Sequence, residues 1–240
     1  MRHAVYFAPR DTALLARLGA RWLGRDAATD GALKQPEIAG VSGPEFEAAT
    51  ASARRYGFHA TLKPPFRLAE GRTAAELEAA AGRLAASLPA VTIPSLEIAR
   101  LGAFVALVPA ERVPALDALA GRVVAEFDGF RAPPDAAEIA RRRPASLSPR
   151  EREMLERWGY PHVFEEFRFH MTLTDALPPE RGDALAAAAA RHFAPVLGRP
   201  VLVDALTLFV EPRPAAPFRI HKVLPLAGGG RRFASIGGGA

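Results

Sequence analysis

Apolar and polar positions along the chain alternate between strand and helix periods in mixed order. Residues 3–8 read as a strand. Behind Asp11, a potential cap, Leu14, Leu15, Leu18 and Trp22 recur at helical spacing, and Gly24 follows. Residues 25–53 carry no period and predict a loop with a short turn of helix. The run over 57–63 predicts a strand stopped by Pro64-Pro65, which have no N–H for a ladder. Thr73-Ala74-Ala75-Glu76 is a capping-box sequence opening a helix to about Ser87. Strands are predicted near 91–100 and 103–109, around Gly102. Pro114 then starts a helix carrying Leu116, Leu119, Val123 and Phe127 on one side.

Residues 131–164 read as a helical insertion. Within it Ser148-Pro149-Arg150-Glu151 supplies an N-cap, a first-turn proline and an acidic third position, and Gly159 closes the helix after Trp158. Trp158 and Tyr160 near its end favour a packing role for the segment over one as a lid or partner surface. Further strands are expected at 167–174, 200–210 and 217–224, with an alanine-rich helix at about 179–194.

Strand, helix, strand, strand thus occurs twice. From His59 the next strands begin at 91 and 103; from His170 they begin at 201 and 217. Two copies of one unit predict two lobes related by an approximate two-fold axis. The expected division is one bilobal domain over 1–227. Its first-motif lobe covers about 10–130, the insertion 131–164 and the second-motif lobe about 165–227, with a loose Gly-rich tail at 228–240.

Each copy opens on the same pentapeptide pattern. The first is Phe58-His59-Ala60-Thr61-Leu62 and the second Phe169-His170-Met171-Thr172-Leu173. The chain holds only 6 His and 9 Thr, so two matched copies lie far beyond coincidence. Side chains alternate across a strand, so His and Thr share one face while the apolar residues share the other. A two-fold axis would bring the polar faces together around a cleft. Two imidazoles and two hydroxyls suit a phosphoester. One neutral imidazole can accept a proton, a protonated one can donate to the departing oxygen, and hydroxyls can hold the phosphate oxygens. This scheme calls for no metal or cofactor. Thr is a poor zinc ligand, and no carboxylate or cysteine stands at ligand spacing.

Composition narrows the picture slightly. At 240 residues, 49% hydrophobic and 24% charged, the chain is of ordinary globular make-up. The apolar runs are too short for a membrane span or a signal peptide. The lack of cysteine excludes disulfides and thiolate chemistry and is compatible with a cytoplasmic home. Net charge is +5, and of 31 basic residues only Lys34, Lys63 and Lys222 are lysine. The arginines are scattered apart from Arg141-Arg142-Arg143, which suits an anionic ligand better than a nucleic-acid track.

The motifs resemble those of the 2H phosphoesterase superfamily. The flanks Arg55-Tyr56-Gly57, Lys63-Pro64-Pro65-Phe66, Arg157-Trp158-Gly159-Tyr160-Pro161 and Tyr6-Phe7-Ala8-Pro9 are similar to the DUF1045 family. That family is associated with carbon–phosphorus lyase genes and phosphonate metabolism. The resemblance covers residues 1 to about 225. It implies a bilobal α+β fold with two antiparallel sheets around a central groove, with His59, Thr61, His170 and Thr172 as the catalytic set.

By strand parity Lys63 and Arg168 are further candidates for phosphate contact, and Tyr6 for lining the groove. His3, His162, His192 and His221 read as structural or exposed. The expected activity is hydrolysis of a small cyclic phosphodiester, either a ribosyl cyclic phosphate or a nucleoside 2′,3′-cyclic phosphate, and the expected partner a small phosphorylated metabolite or nucleotide. Two other readings stay open. One is RNA end processing or 2′–5′ ligation at the same site. The other is non-catalytic binding of a phosphometabolite.

Overall fold

The structure is a computed structural model that describes residues 1–142 and 144–227; Arg143 and the tail expected at 228–240 lie outside them. Nine strands run in chain order: β1 (Arg2–Phe7), β2 (Ala60–Phe66), β3 (Val91–Ile93), β4 (Leu96–Leu101), β5 (Phe104–Pro109), β6 (Met171–Thr172), β7 (Val201–Val203), β8 (Ala205–Glu211) and β9 (Arg219–Pro225). Seven form one sheet in the order β4-β5-β6-β2-β1-β8-β9, and β3 pairs with β7 apart from it. All pairings between these strands are antiparallel.

The duplication is visible in the register. β2 meets β6 at Ala60 opposite Met171, each the residue after its motif histidine. β3 meets β7 with Thr92 opposite Leu202. Equivalent strands paired antiparallel with one another are what a two-fold axis between the halves produces. The halves also exchange hairpins. β4–β5 of the first half extends the sheet beyond β6, and β8–β9 of the second lies beyond β1 on the β2 side. The seven-stranded sheet thus has a three-strand part, β4-β5-β6, and a four-strand part, β2-β1-β8-β9, that join along the motif strands.

Eight α-helices accompany the strands among the described residues: α1 (Leu14–Leu23), α2 (Gly43–Ala49), α3 (Ala51–Tyr56), α4 (Ala74–Ser87), α5 (Pro114–Glu126), α6 (Ala136–Arg141), α7 (Pro149–Trp158) and α8 (Pro179–Phe193). The capping boxes at Thr73 and Ser148 form as their sequences predict, and Gly24 and Gly159 end α1 and α7 in the left-handed conformation. Asp11 does not cap α1, whose N-cap is Ala13; its carboxylate accepts from the Thr12 N–H instead. The region 25–53 holds more helix than its pattern indicated, because Ser42 and Glu45 build a capping box at α2.

The main core joins one face of the sheet to α1, α4, α5 and α8. Val5, Phe7, Ala60, Leu62, Leu107, Met171 and Leu206 meet Trp22, Leu77, Leu84, Leu119, Val123, Leu185 and Phe193 there. Burying one such Leu or Phe contributes about 1.5–3 kcal/mol. With these helices on that face, the opposite face carries only a small cluster around Tyr6 and Phe209, flanked by Ala4 and Ala8.

Four strand expectations change. The runs expected as single strands near 91–100 and at 200–210 each break in two, into β3 and β4 at Pro94-Ser95 and into β7 and β8 at Asp204. β2 does not stop at Pro64-Pro65 but runs through them to Phe66. Its ladder with β1 steps over the prolines, from Lys63 opposite Val5 to Phe66 opposite His3. The second motif strand is far shorter than 167–174. A 3-10 turn at Phe164–Glu166 precedes it, and past Leu173 the Thr174 hydroxyl accepts the Val105 N–H at 2.9 Å, in place of a ladder carbonyl.

Candidate active site

The motif strands bury their apolar residues and keep their polar ones in reach of solvent. Phe58, Ala60, Leu62, Phe169, Met171 and Leu173 are buried, while His59, Thr61, His170 and Thr172 are all half-buried on the other face. An antiparallel register centred on Ala60 and Met171 sets His59 across from Thr172 and Thr61 across from His170. The four side chains so form a diagonal square over two adjacent strands. The structure brings all four together.

The two imidazoles are held alike. His59 Nδ1 lies 2.8 Å from the Gly57 carbonyl, and His170 Nδ1 lies 2.7 Å from the Arg168 carbonyl. A carbonyl accepts only, so each Nδ1 carries the proton and each neutral ring keeps a bare Nε2. On His59 that atom lies 3.2 Å from the Thr61 hydroxyl, which can donate to it. Gly57 is required for its part. It sits at φ 80°, and a Cβ there would stand 2.6 Å from the Ala27 Cβ.

Their surroundings differ. His59 stacks on the Tyr6 ring at 3.8 Å, with Phe209 at 5.9 Å and Tyr56 at 6.3 Å. His170 has Phe104 at 5.7 Å. Burial pushes the His59 pKa down to about 4, partly countered by its bond to Gly57, and a charge on His170 lowers it further. Burial also lowers the His170 pKa, against its bond to the Arg168 carbonyl, and a charge on His162 adds to the lowering. Both rings are therefore neutral at neutral pH with the groove empty of anions.

A cavity of about 590 Å³ opens beside the pair, lined among others by Thr61, His170, Phe104 and Arg168. Its far wall is the insertion, which contributes Glu151, Tyr160 and His162. His162 Nδ1 is 3.3 Å from Glu151. The sequence reading placed His162 and Tyr160 outside the site, and the available signal was their position just before the motif strand. Ala106, paired with Thr172, keeps the sheet low beside the motif residues.

Of the parity candidates, Arg168 is exposed at the rim of this cavity, and neighbouring Glu165 pairs with Arg150. Tyr6 is buried beneath His59 and forms floor rather than lining. Lys63 is not on the groove face. The β1–β2 register advances one residue in β1, from Tyr6 to Val5, while β2 advances two, from Thr61 to Lys63. This bulge breaks the parity on which the expectation rested. Lys63 is 1% exposed and donates to the Val124 carbonyl at 3.1 Å, with Asp128 at 3.5 Å. Burial lowers its pKa to about 8, with Asp128 opposing. Among the described residues, no three His, Cys, Asp or Glu side chains group as a metal site, and no helix is long and apolar enough to cross a membrane.

The profile of the family described as "Protein of unknown function (DUF1045)" matches residues 61–219, from inside the first motif past the second. The chain belongs to the DUF1045 family. It is 41% identical over 235 residues to a protein of Janthinobacterium sp. (strain Marseille) named ribose 1,5-bisphosphate phosphokinase PhnN, covering 96% of this chain and 52% of that one. A protein of the same name from Laribacter hongkongensis (strain HLHK9) is 38% identical over 224 residues, covering 93% and 52%. The chain thus spans about half the length of the curated relatives it matches. Among solved structures it is similar to E. coli LigT complexed with NADP+, at 16% identity and a TM-score of 0.42, covering 94% of this chain and 97% of that one. A structure described as a phosphoesterase matches at 16% identity and a TM-score of 0.41, covering 94% and 98%. Within DUF1045, the matched segment carries both hydroxyl–imidazole pairs except His59 itself, which lies two residues before it.

Proposed function

We propose that the chain is a two-histidine phosphodiesterase that hydrolyses a small cyclic phosphodiester. One observation carries the reading: both motif histidines tie Nδ1 to a backbone carbonyl and keep Nε2 bare on one face of paired strands, beside two hydroxyls. Water attacks phosphorus and gives its proton to one Nε2. The opposite imidazole, protonated, gives its Nε2 proton to the ring oxygen as the P–O bond breaks. One water is consumed, and a phosphate monoester and a free hydroxyl result. Thr61 and Thr172 donate to the non-bridging oxygens and hold phosphorus in line.

The unequal surroundings support one assignment of the roles. His59, stacked and more strongly shielded, stays neutral and serves as base. The bound anion raises both pKa values, and His170, with fewer aromatic neighbours, takes up the proton and serves as acid. A ribosyl cyclic phosphate is the favoured substrate, because its hydrolysis yields a ribose phosphate monoester, the class of compound in the name of the PhnN relatives. Membership of the DUF1045 family, which the sequence resemblance associates with carbon–phosphorus lyase genes, supports a role in phosphonate metabolism. Nucleoside 2′,3′-cyclic phosphates test the alternative sugar position.

The test is hydrolysis of both substrate types in the presence of a chelator. The wild-type chain is expected to open at least one of them. Full activity in the His59→Ala, His170→Ala double variant ends the proposal.

A further inference from the structure

The wall of the cavity beside His170 holds two carboxylates, Glu151 and Glu166, although a carboxylate repels a phosphate. Their situations differ. Glu151 is engaged on both sides. It accepts the Ser148 N–H at 2.8 Å and lies 3.3 Å from His162 Nδ1, so it caps α7 and orients an imidazole. Glu166 is half-buried, and its carboxylate has no hydrogen-bond or ion-pair partner among the described residues. Its backbone is held in place. The Glu166 N–H donates to the Val163 carbonyl at 3.1 Å and closes the 3-10 turn Phe164–Glu166. Phe164 enters that turn at φ 54°, a costly conformation for an aromatic residue, and its ring packs on Trp158 at 4.9 Å.

The charge of this wall does not call for an anion. Arg100, in the same lining, is taken by Asp183 at 2.8 Å and the Pro179 carbonyl at 3.2 Å, which leaves Arg168 at the rim to set against Glu166. A half-buried acceptor with no donor in the fold is matched by a donor from the ligand, and a neutral hydroxyl supplies one without like charge. His162 lines the same wall. With Nδ1 turned to Glu151, its Nε2 accepts from a hydroxyl when the ring is neutral and donates to one when it is protonated. Phe104 and Phe167 add apolar surface for the C–H faces of a sugar ring.

We infer that Glu166 is a specificity-determining residue that accepts a hydrogen bond from a free sugar hydroxyl adjacent to the cyclic ester, with His162 in the same wall as a second polar contact. The inference rests on the phosphodiesterase reading above. In that reading His170 protonates the departing ring oxygen, so the sugar carbon bearing that oxygen lies on the His170 side, toward this wall. A ribosyl phosphate closed across the 1- and 2-oxygens keeps its 3-hydroxyl next to the ester. A nucleoside 2′,3′-cyclic phosphate has no hydroxyl on the carbons flanking its ester. Glu166 thus separates the two substrate types. Its carboxylate gains a donor from the first and is left desolvated and unpaired by the second, and an unpaired buried acceptor counts against the wrong compound.

Calorimetric titration with ribose 1-phosphate and with 3-deoxyribose 1-phosphate reads the contact without turnover, because the two compounds differ by one hydroxyl. The wild-type chain is expected to bind the first about tenfold tighter, the size of one hydrogen bond to a charged group. Glu166→Ala is expected to bring that ratio to about one and to keep the 3-deoxy affinity within about twofold, the mark of an intact groove. Glu166→Gln, whose amide still accepts, is expected to fall between. Equal wild-type affinities, no binding of either compound, or a ratio unchanged in Glu166→Ala overturns the inference. Turnover is scored separately, on ribosyl 1,2-cyclic phosphate and its 3-deoxy analogue. Turnover with the same ratio of kcat/KM values in the wild type and Glu166→Ala refutes the hydroxyl contact and leaves the phosphodiesterase standing. A binding ratio lost in Glu166→Ala, with neither cyclic compound turned over, upholds the contact and refutes the phosphodiesterase.

Discussion

The two motif copies share a backbone and differ in their neighbours. Each histidine is anchored by the carbonyl two residues before it, and each threonine lies two residues after. Around His59 stand Tyr6, Tyr56 and Phe209, drawn from β1, α3 and β8. Around His170 stand Phe104 and the insertion, which brings His162. Duplication therefore supplies two copies of one imidazole–hydroxyl pair, and unequal packing gives the two imidazoles different surroundings. Under the proposed function, the same pentapeptide serves once as base and once as acid because its environment is not duplicated.

Removing both imidazoles tests what the copies share. Each general acid or base is worth about 10²–10⁴ in rate, so His59→Ala and His170→Ala are each expected to lower kcat by that order. The double variant is expected to lose little more than the worse single one, since the two act in one step. Steady-state kinetics on a cyclic phosphate measures this.

The threonines come next. Thr61→Val and Thr172→Val each remove one donor to the phosphate, with an expected loss of about 10–100-fold in kcat/KM. Thr61→Val also removes the hydroxyl beside His59 Nε2, so it is expected to shift the acid limb of the pH profile while Thr172→Val leaves that limb in place. Equal profiles in the two variants would erase the distinction drawn between the copies.

Stability tests the buried side of the comparison. The folded His59 pKa of about 4 lies below the ordinary 6.5. Between those values the unfolded chain binds a proton that the folded chain refuses. Stability is therefore full above about pH 6.5 and falls as pH drops toward about 4. His59→Phe is expected to flatten that slope in denaturant titrations run across this range.

The smallest expected effect concerns the insertion. A positive His162 lowers the His170 pKa, so His162→Gln is expected to move the alkaline limb of kcat/KM upward by a few tenths of a pH unit. An unmoved limb would detach the insertion from the acid. Outside the groove, Lys63→Met is expected to keep kcat within about twofold of the wild type, because its Nζ faces α5 and Asp128 rather than the substrate.

Much of this was legible from residue order. The capping boxes at Thr73 and Ser148, the glycine stops at Gly24 and Gly159 and the alternation within each pentapeptide are local events, governed by neighbours a few residues apart. Lys63 shows where local reasoning ends. Parity held from His59 to Thr61 and failed two residues later, because a bulge against β1 is a property of two strands and not of one. Tyr160 and His162 escaped for a related reason: a loop's pattern does not say which groove it will wall.

The amino-acid order by itself determined that there are two equivalent polar strand faces, each bearing an imidazole and a hydroxyl. Tertiary structure decided that these faces adjoin in one sheet, that exchanged hairpins flank them, and that one imidazole is stacked while the other is walled by the insertion. The physical reason is range. Strand alternation and helix caps act within one turn or pleat, whereas register, burial and proton affinity depend on side chains that folding brings from distant parts of the chain.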